Sequence, residues 1–159
     1  MKIRRFHDSD VRQMVSLFYE TVHSVNKQHY TQKQLDVWAP RDEEVLKQTT
    51  WKDSFNLNVT YIAEINGNIV GFADMTQEGH LDRLFIHRDF QRQGIASSLV
   101  DNLESEARQR GLIAMDTEAS ITARPFFEHH GYQITESQVV ERKGVSLENF
   151  KMVKNLLNK

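Results

Sequence analysis

The sequence predicts a mixed α/β fold, a sheet covered by helices. Three observations carry this. Leu81, Leu84, Phe85 and Ile86 form an apolar strand that passes through a polar turn into a helix opening at Gly94. Asn66-Gly67 and Lys143-Gly144 each sit between alternating apolar runs, as hairpin turns do. Val11, Met14, Val15, Phe18 and Val22 recur at helical spacing near the N-terminus.

In chain order, Lys2 to Phe6 alternates and suits a first strand, and Ser9 or Asp10 can cap the helix that follows. Thr31 can cap a short helix holding Leu35 and Trp38, ended by Pro40. Asp42 to Trp51 suits a further short helix or turn. Leu57 to Met75 reads as a hairpin, with Tyr61, Ala63 and Ile65 on one arm and Ile69, Gly71 and Ala73 on the other. Gln77 to His80 is a turn leading into the Leu81 strand. In the helix beyond Gly94, Ile95, Leu99, Leu103 and Ala107 are spaced four apart, and Gly111 stops it. Leu112 to Met115 is predicted as a strand. A turn begins at Ser120, and Thr122 to His130 forms a short helix stopped by Gly131. Tyr132 to Val140 and Val145 to Val153 form the last two strands.

The chain has 159 residues, which fits one domain spanning 1–159 with a true core. A formal charge of −2 and the lack of any basic run argue against a nucleic-acid partner. The absence of cysteine excludes disulfides and a cysteine-bound acyl intermediate. No stretch approaches the roughly 20 apolar residues of a membrane span, and MKIRRFHDSD has no signal-peptide core, so a soluble cytoplasmic protein is expected.

Chemistry concentrates at Gln91 to Ser97. A helix start carries N–H groups without internal partners and the positive end of the helix dipole, so it attracts anions. The small residues Ala96, Ser97 and Ser98 let a phosphate approach the backbone. Arg88 and Arg92 lie nearby, as anion partners or as exposed turn residues. There is no Gly-x-x-x-x-Gly-Lys-Ser/Thr loop and no Gly-x-Gly-x-x-Gly, so nucleotide hydrolysis and dinucleotide redox chemistry lack support. His129-His130 has no metal-ligand spacing and reads as an exposed helix end; no metal is expected.

The run Gln91-Arg92-Gln93-Gly94-Ile95-Ala96 fits Gln/Arg-x-x-Gly-x-Gly/Ala. With the Leu-Phe-Ile strand before it and SITARPFFEHHGY after it, it resembles the acetyl-coenzyme-A site of the GCN5-related N-acetyltransferase (GNAT) superfamily. The resemblance implies a mixed, mostly antiparallel twisted sheet whose parallel pair, here the Leu81 and Leu112 strands, splays apart. It implies acetyl-coenzyme A as cosubstrate, with its pyrophosphate on the amides of Gln91, Arg92, Gln93, Gly94, Ile95, Ala96 and Ser97. It further implies that the pantetheine arm pairs with the backbone of Leu84, Phe85 and Ile86, one of whose N–H groups serves as oxyanion donor. The implied reaction moves an acetyl group to a primary amine of a small molecule or peptide by direct attack in a ternary complex. An inactive acetyl-coenzyme-A sensor and transfer of a longer acyl group are the alternatives. Members often form homodimers, though no patch here can be assigned to that.

A lysine-like amine is about one part in a thousand neutral at pH 7, so a base is expected near the start of the Leu81 strand. Asp82 is the first candidate and His80 the second, with Glu64 and Asp74 behind them; Asp82 and His80 also suit plain surface positions. Many family members use a tyrosine as acid in Asn-x-x-Ala-x-x-aromatic-Tyr. Here Ser120 stands at the asparagine and Phe127 at the tyrosine, so that acid is missing; both can still touch the pantetheine or sulfur, and Tyr132 is the nearest substitute. The first helices line the acceptor site in the family, which makes Tyr30, Asp36 and Trp38 candidate substrate contacts. Equally, Tyr30 and Trp38 can simply close the core. Net acidity and the aromatic N-terminal third lean toward a small cationic or aromatic amine.

Overall fold

The computed structural model describes residues 1–157. Seven strands form one sheet: β1 (Lys2–Arg5), β2 (Val59–Ile65), β3 (Asn68–Met75), β4 (His80–Ile86), β5 (Ala114–Ser120), β6 (Gln133–Arg142) and β7 (Val145–Asn155), in the order β1-β2-β3-β4-β5-β7-β6. Every neighbouring pair is antiparallel except β4–β5. That parallel pair shares only two rungs, His80 with Asp116 and Leu81 with Thr117, and then parts.

Helices α1 (Val11–Ser24), α2 (Gln32–Trp38) and α3 (Glu44–Leu57) cover one face. Met14, Val15, Phe18 and Val22 of α1 pack there with Leu35, Phe55, Ile62 and Phe72. Helices α4 (Ile95–Gln109) and α5 (Arg124–His129) cover the other face, where Ile95, Leu99, Leu103 and Ala107 meet Val70, Ala73, Leu81 and Met115. The four-residue spacing of the α4 apolar positions is what turns one stripe of that helix onto the sheet. Gly71 on β3 permits this contact: a Cβ there would lie 2.8 Å from Ile86 Cδ1 and 3.3 Å from Ile95 Cγ2.

Local signals form as the sequence implies. Thr31 caps α2 by accepting from the Gln34 N–H, and Gln34 answers the Thr31 N–H. Asn66 and Gly67 turn with φ of 52° and 80°, the hairpin geometry that suits right-twisted strands. Asp10 precedes α1 but does not cap it. Its carboxylate takes the His7 N–H and a two-pronged pair from Arg4, which fastens β1 to the start of α1.

Three boundaries differ from expectation. Asp42 and Glu43 belong to the single 3-10 turn Arg41–Glu43, and residues 44–51 to the 14-residue α3 that follows it. Its apolar periodicity is hidden because Val45 and Leu46 face solvent, leaving Phe55 as its buried anchor. β5 begins at Ala114 rather than Leu112 and runs on to Ser120, with Met115, Thr117 and Ala119 inward and Asp116 and Glu118 outward. α5 starts at Arg124 because Ser120 Oγ accepts from the Ala123 N–H and holds residues 120–123 as a turn.

Candidate active site

Where β4 and β5 part, a cleft of about 1580 Å³ opens. It runs from the start of α4, past β4, to the aromatic side chains of α1 and α3. Its first wall is the loop before α4. Arg92 and Gly94 both adopt left-handed backbone, φ 61° and 80°, which bends the chain sharply into the start of α4. A Cβ on Gly94 would meet nothing within 4 Å, so the space beside the helix start is open. Arg88, Arg92, Gly94, Ala96 and Ser97 line it. Gln91 has another role. Its amide donates to the carbonyl of Ile86 at 2.7 Å, bracing the loop against β4. Gln93 does not line the cleft, and the Ile95 side chain is buried in the core, anchoring the helix.

The second wall is the free edge of β4. The His87 N–H donates to the carbonyl of Val70, and Phe85 is the cross-strand partner of Phe72. Hydrogen bonding alternates along a strand, so Phe85 directs its main chain toward β3, while Leu84 and Ile86 direct theirs into the cleft. This corrects the expectation that all three offer backbone there. Phe85 instead contributes its ring, packed edge-on against Phe18 at 4.9 Å. The Ile86 carbonyl is already held by Thr21 and Gln91, so the Leu84 amide and carbonyl and the Ile86 N–H are the groups left facing the gap.

At the start of β4, His80 Nδ1 lies 2.8 Å from Asp116 Oδ1 across the parallel rung. Such a pair fixes the ring and leaves Nε2 directed elsewhere. Asp82 sits at a bulge in the β3–β4 ladder and pairs with Arg83 at 3.6 Å. Both His80 and Asp82 line the cleft.

Asp74 does not line it. Its carboxylate is buried beneath Arg83 and Asn58, with Oδ1 lacking any partner. Burial pushes its carboxyl up to about 6, against the pull of Arg83. A carboxyl raised in the folded state binds its proton there more tightly than when unfolded, so the stability it contributes is complete below about pH 3.8 and lost as pH rises through about 6. Compared with Asp74→Asn, the protein is therefore expected to lose about 2 kcal/mol between pH 4.5 and 7.5. Denaturant titrations of both proteins at the two pH values measure this, and parallel curves would refute it.

Tyr132 is not at the site. It is buried under α4, where its hydroxyl donates to Glu104 Oε2 at 3.0 Å, and burial beside that carboxylate pushes its ionisation far upward. It cannot reach the cleft as an acid, because packing against Phe127 turns it inward. Phe127 is itself largely core, touching the cleft between Phe126 and Tyr132. Asp36 is also displaced: it lies on the outer face of α2 and accepts from Gln32. The Tyr30 hydroxyl donates to the carbonyl of Glu148 and accepts from the Ile121 N–H, so it ties three segments together, and burial raises its pKa above the ordinary tyrosine value. With the His29–Thr122 contact at 2.9 Å it buckles the α1–α2 connection across the cleft. Trp38 stands edge-on to Tyr30 and lines the same wall. His130 is not an exposed helix end. With Asp101 and Glu104 it gathers three ligand-capable atoms within 4.8 Å, and Lys154 Nζ sits 2.8 Å from Glu104.

The far end of the cleft holds residues that sequence reasoning missed: Phe18, Lys47, Trp51, Arg83 and Arg142. No local pattern joins positions so far apart. The one usable signal was Trp51, an aromatic set within the polar stretch from Lys47 to Ser54.

A sheet split by a two-rung parallel pair has a helix start opening on the split, and comparison with known proteins identifies this arrangement as that of an N-acetyltransferase. Residues 26–154 match the family model described as the acetyltransferase (GNAT) domain. The chain is 34% identical over 153 residues to the uncharacterized N-acetyltransferase YafP of Escherichia coli K12, covering 96% of this chain and 94% of that one. A GCN5-related N-acetyltransferase from Rhodopseudomonas palustris superposes with a TM-score of 0.90 at 26% identity, over 97% of this chain and 94% of that one. The PaiA N-acetyltransferase of Thermoplasma acidophilum, crystallised with coenzyme A, shares the fold at a TM-score of 0.79 and 14% identity, covering 97% and 98%. The chain belongs to the GNAT acetyltransferase family.

Proposed function

We propose that this protein moves an acetyl group from acetyl-coenzyme A to a primary amine of a small molecule or peptide, by direct attack within a ternary complex. The observation that carries the reading is the continuous cleft from the Gly94 turn, along the open edge of β4, to the aromatic end beneath α1 and α3. The residues fit the cosubstrate. Gly94 leaves room for a pyrophosphate where helix amides and Arg92 converge. Leu84 and Ile86 offer an unpaired strand edge to an amide-bearing arm, and one of their N–H groups suits an oxyanion. When bound, the thioester supplies the activated acyl carbon.

The protein's remaining task is to take a proton from the amine. His80, oriented by Asp116, is the better base, and Asp82, compensated by Arg83, is the weaker one. This reverses the order expected from the sequence. Phe127 offers no proton, but a thiolate whose acid has a pKa near 8.5 leaves tolerably without one. With no cysteine in the chain, a cysteine-bound acyl enzyme is ruled out.

Calorimetry with acetyl-coenzyme A, followed by thiol release across a panel of amines, tests the reading. Binding with turnover of at least one amine is expected. Absence of binding at millimolar cosubstrate would end it. Binding with no thiol release from any amine would favour a sensor, the reading that Phe127 supports.

A further inference from the structure

The acceptor end of the cleft gathers the cations Lys47, Arg83 and Arg142, with Asp82 and Glu148 among the carboxylates that line the cleft. Lys47 of α3 lies half-buried with its ammonium 5.9 Å from the Phe18 ring and 5.8 Å from the Trp51 ring. Arg142, at the end of β6, lines the same end. Arg83 stacks 4.7 Å over Trp51, but Asp74 and Asp82 compensate it. Lys143 is likewise compensated by Glu43 at 3.1 Å. Among the described residues, neither Lys47 nor Arg142 has a carboxylate within 4 Å. Burial lowers the Lys47 ammonium toward its neutral form; Glu43 opposes this, while Arg142, Arg83 and Lys143 add to it. A partly dehydrated cation among cations is an unfavourable arrangement that a ligand anion would relieve.

From this geometry we infer that the acceptor is an amine bearing an anionic group, a carboxylate or a phosphate, seated between Lys47 and Arg142 against the Phe18, Trp51 and Phe85 rings. The inference rests on the acetyltransfer reading above and narrows its substrate. It departs from the cationic amine that net acidity suggests, because a second ammonium would be repelled here. The aromatic rings favour an apolar body between the two charged ends.

Matched probes test it: phenylalanine against phenethylamine for the carboxylate, and phosphoethanolamine against ethanolamine for the phosphate. Thiol release from acetyl-coenzyme A gives kcat/KM, and calorimetry in the presence of coenzyme A gives amine affinity whether or not turnover follows. The anionic member of at least one pair should be preferred about tenfold or more, and the pair that responds identifies the anion. Lys47→Met and Arg142→Met should each reduce that preference about tenfold, through KM rather than kcat, with coenzyme A affinity unchanged. Lys47→Arg should retain it. Failure of coenzyme A to bind would sink the acetyltransfer reading and this inference with it. Coenzyme A binding with equal affinity for both members of each pair, or a preference that survives Lys47→Met, overturns this inference alone.

Discussion

Gly94→Glu is expected to abolish coenzyme A binding, raising Kd on the order of 100-fold or more, while the protein stays folded. Two effects combine. The left-handed backbone at this position, φ 80°, admits glutamate with strain of about 1–2 kcal/mol, felt as a modest fall in melting temperature. The new side chain meets no protein atom at its Cβ, so no steric clash adds to that strain. It occupies instead the space beside the first amides of α4, and its carboxylate reverses the potential that would hold a phosphate. Gly94→Asn separates the causes, since asparagine tolerates this conformation and carries no charge; it should weaken binding far less. Calorimetry with a melting curve on each variant reads both quantities. Near-normal affinity in Gly94→Glu would mean that the anion sits elsewhere.

His80→Gln is expected to lower kcat about 100-fold or more, with coenzyme A affinity unchanged. Only about one lysine-like amine in a thousand is neutral at pH 7, so removing the proton acceptor should slow turnover rather than binding. Asp116 holds Nδ1 of the ring across the parallel rung, so Asp116→Asn should give a smaller loss by freeing the imidazole. Asp82→Asn should cost less than His80→Gln, because Arg83 already compensates that carboxylate. Steady-state rates for the three variants decide the matter. A larger loss in Asp82→Asn would transfer the base role to Asp82.

These two residues also mark how far the sequence could be read. Strand, loop, glycine and helix start are contiguous between Leu81 and Ser97, and their spacing alone points to the anion site proposed there. The Asn66-Gly67 turn and the α4 stripe were legible for the same reason, since turn chemistry and periodicity are local. What failed was nonlocal. α3 exposes Val45 and Leu46, so its periodicity misled, and the acceptor end draws on positions 18, 47, 51, 83 and 142. Tyr132 lies five residues from Phe127 in sequence, yet its hydroxyl is drawn inward to Glu104, and sequence distance carries no sign of that. The direction of the Phe85 main chain depends on ladder phase with β3, which no side-chain pattern records.

The parting of β4 from β5 divides the cleft into two kinds of surface. Along Leu84 and Ile86 the groups presented are main-chain, and around Gly94 the open backbone is joined by the Arg88 and Arg92 side chains. Around Lys47 and Arg142 the lining is made of side chains, two of them exposed or half-buried cations that no core contact fixes. If acetyl transfer runs in this cleft, the recipient end is thus the part that single replacements can alter with least cost to the sheet.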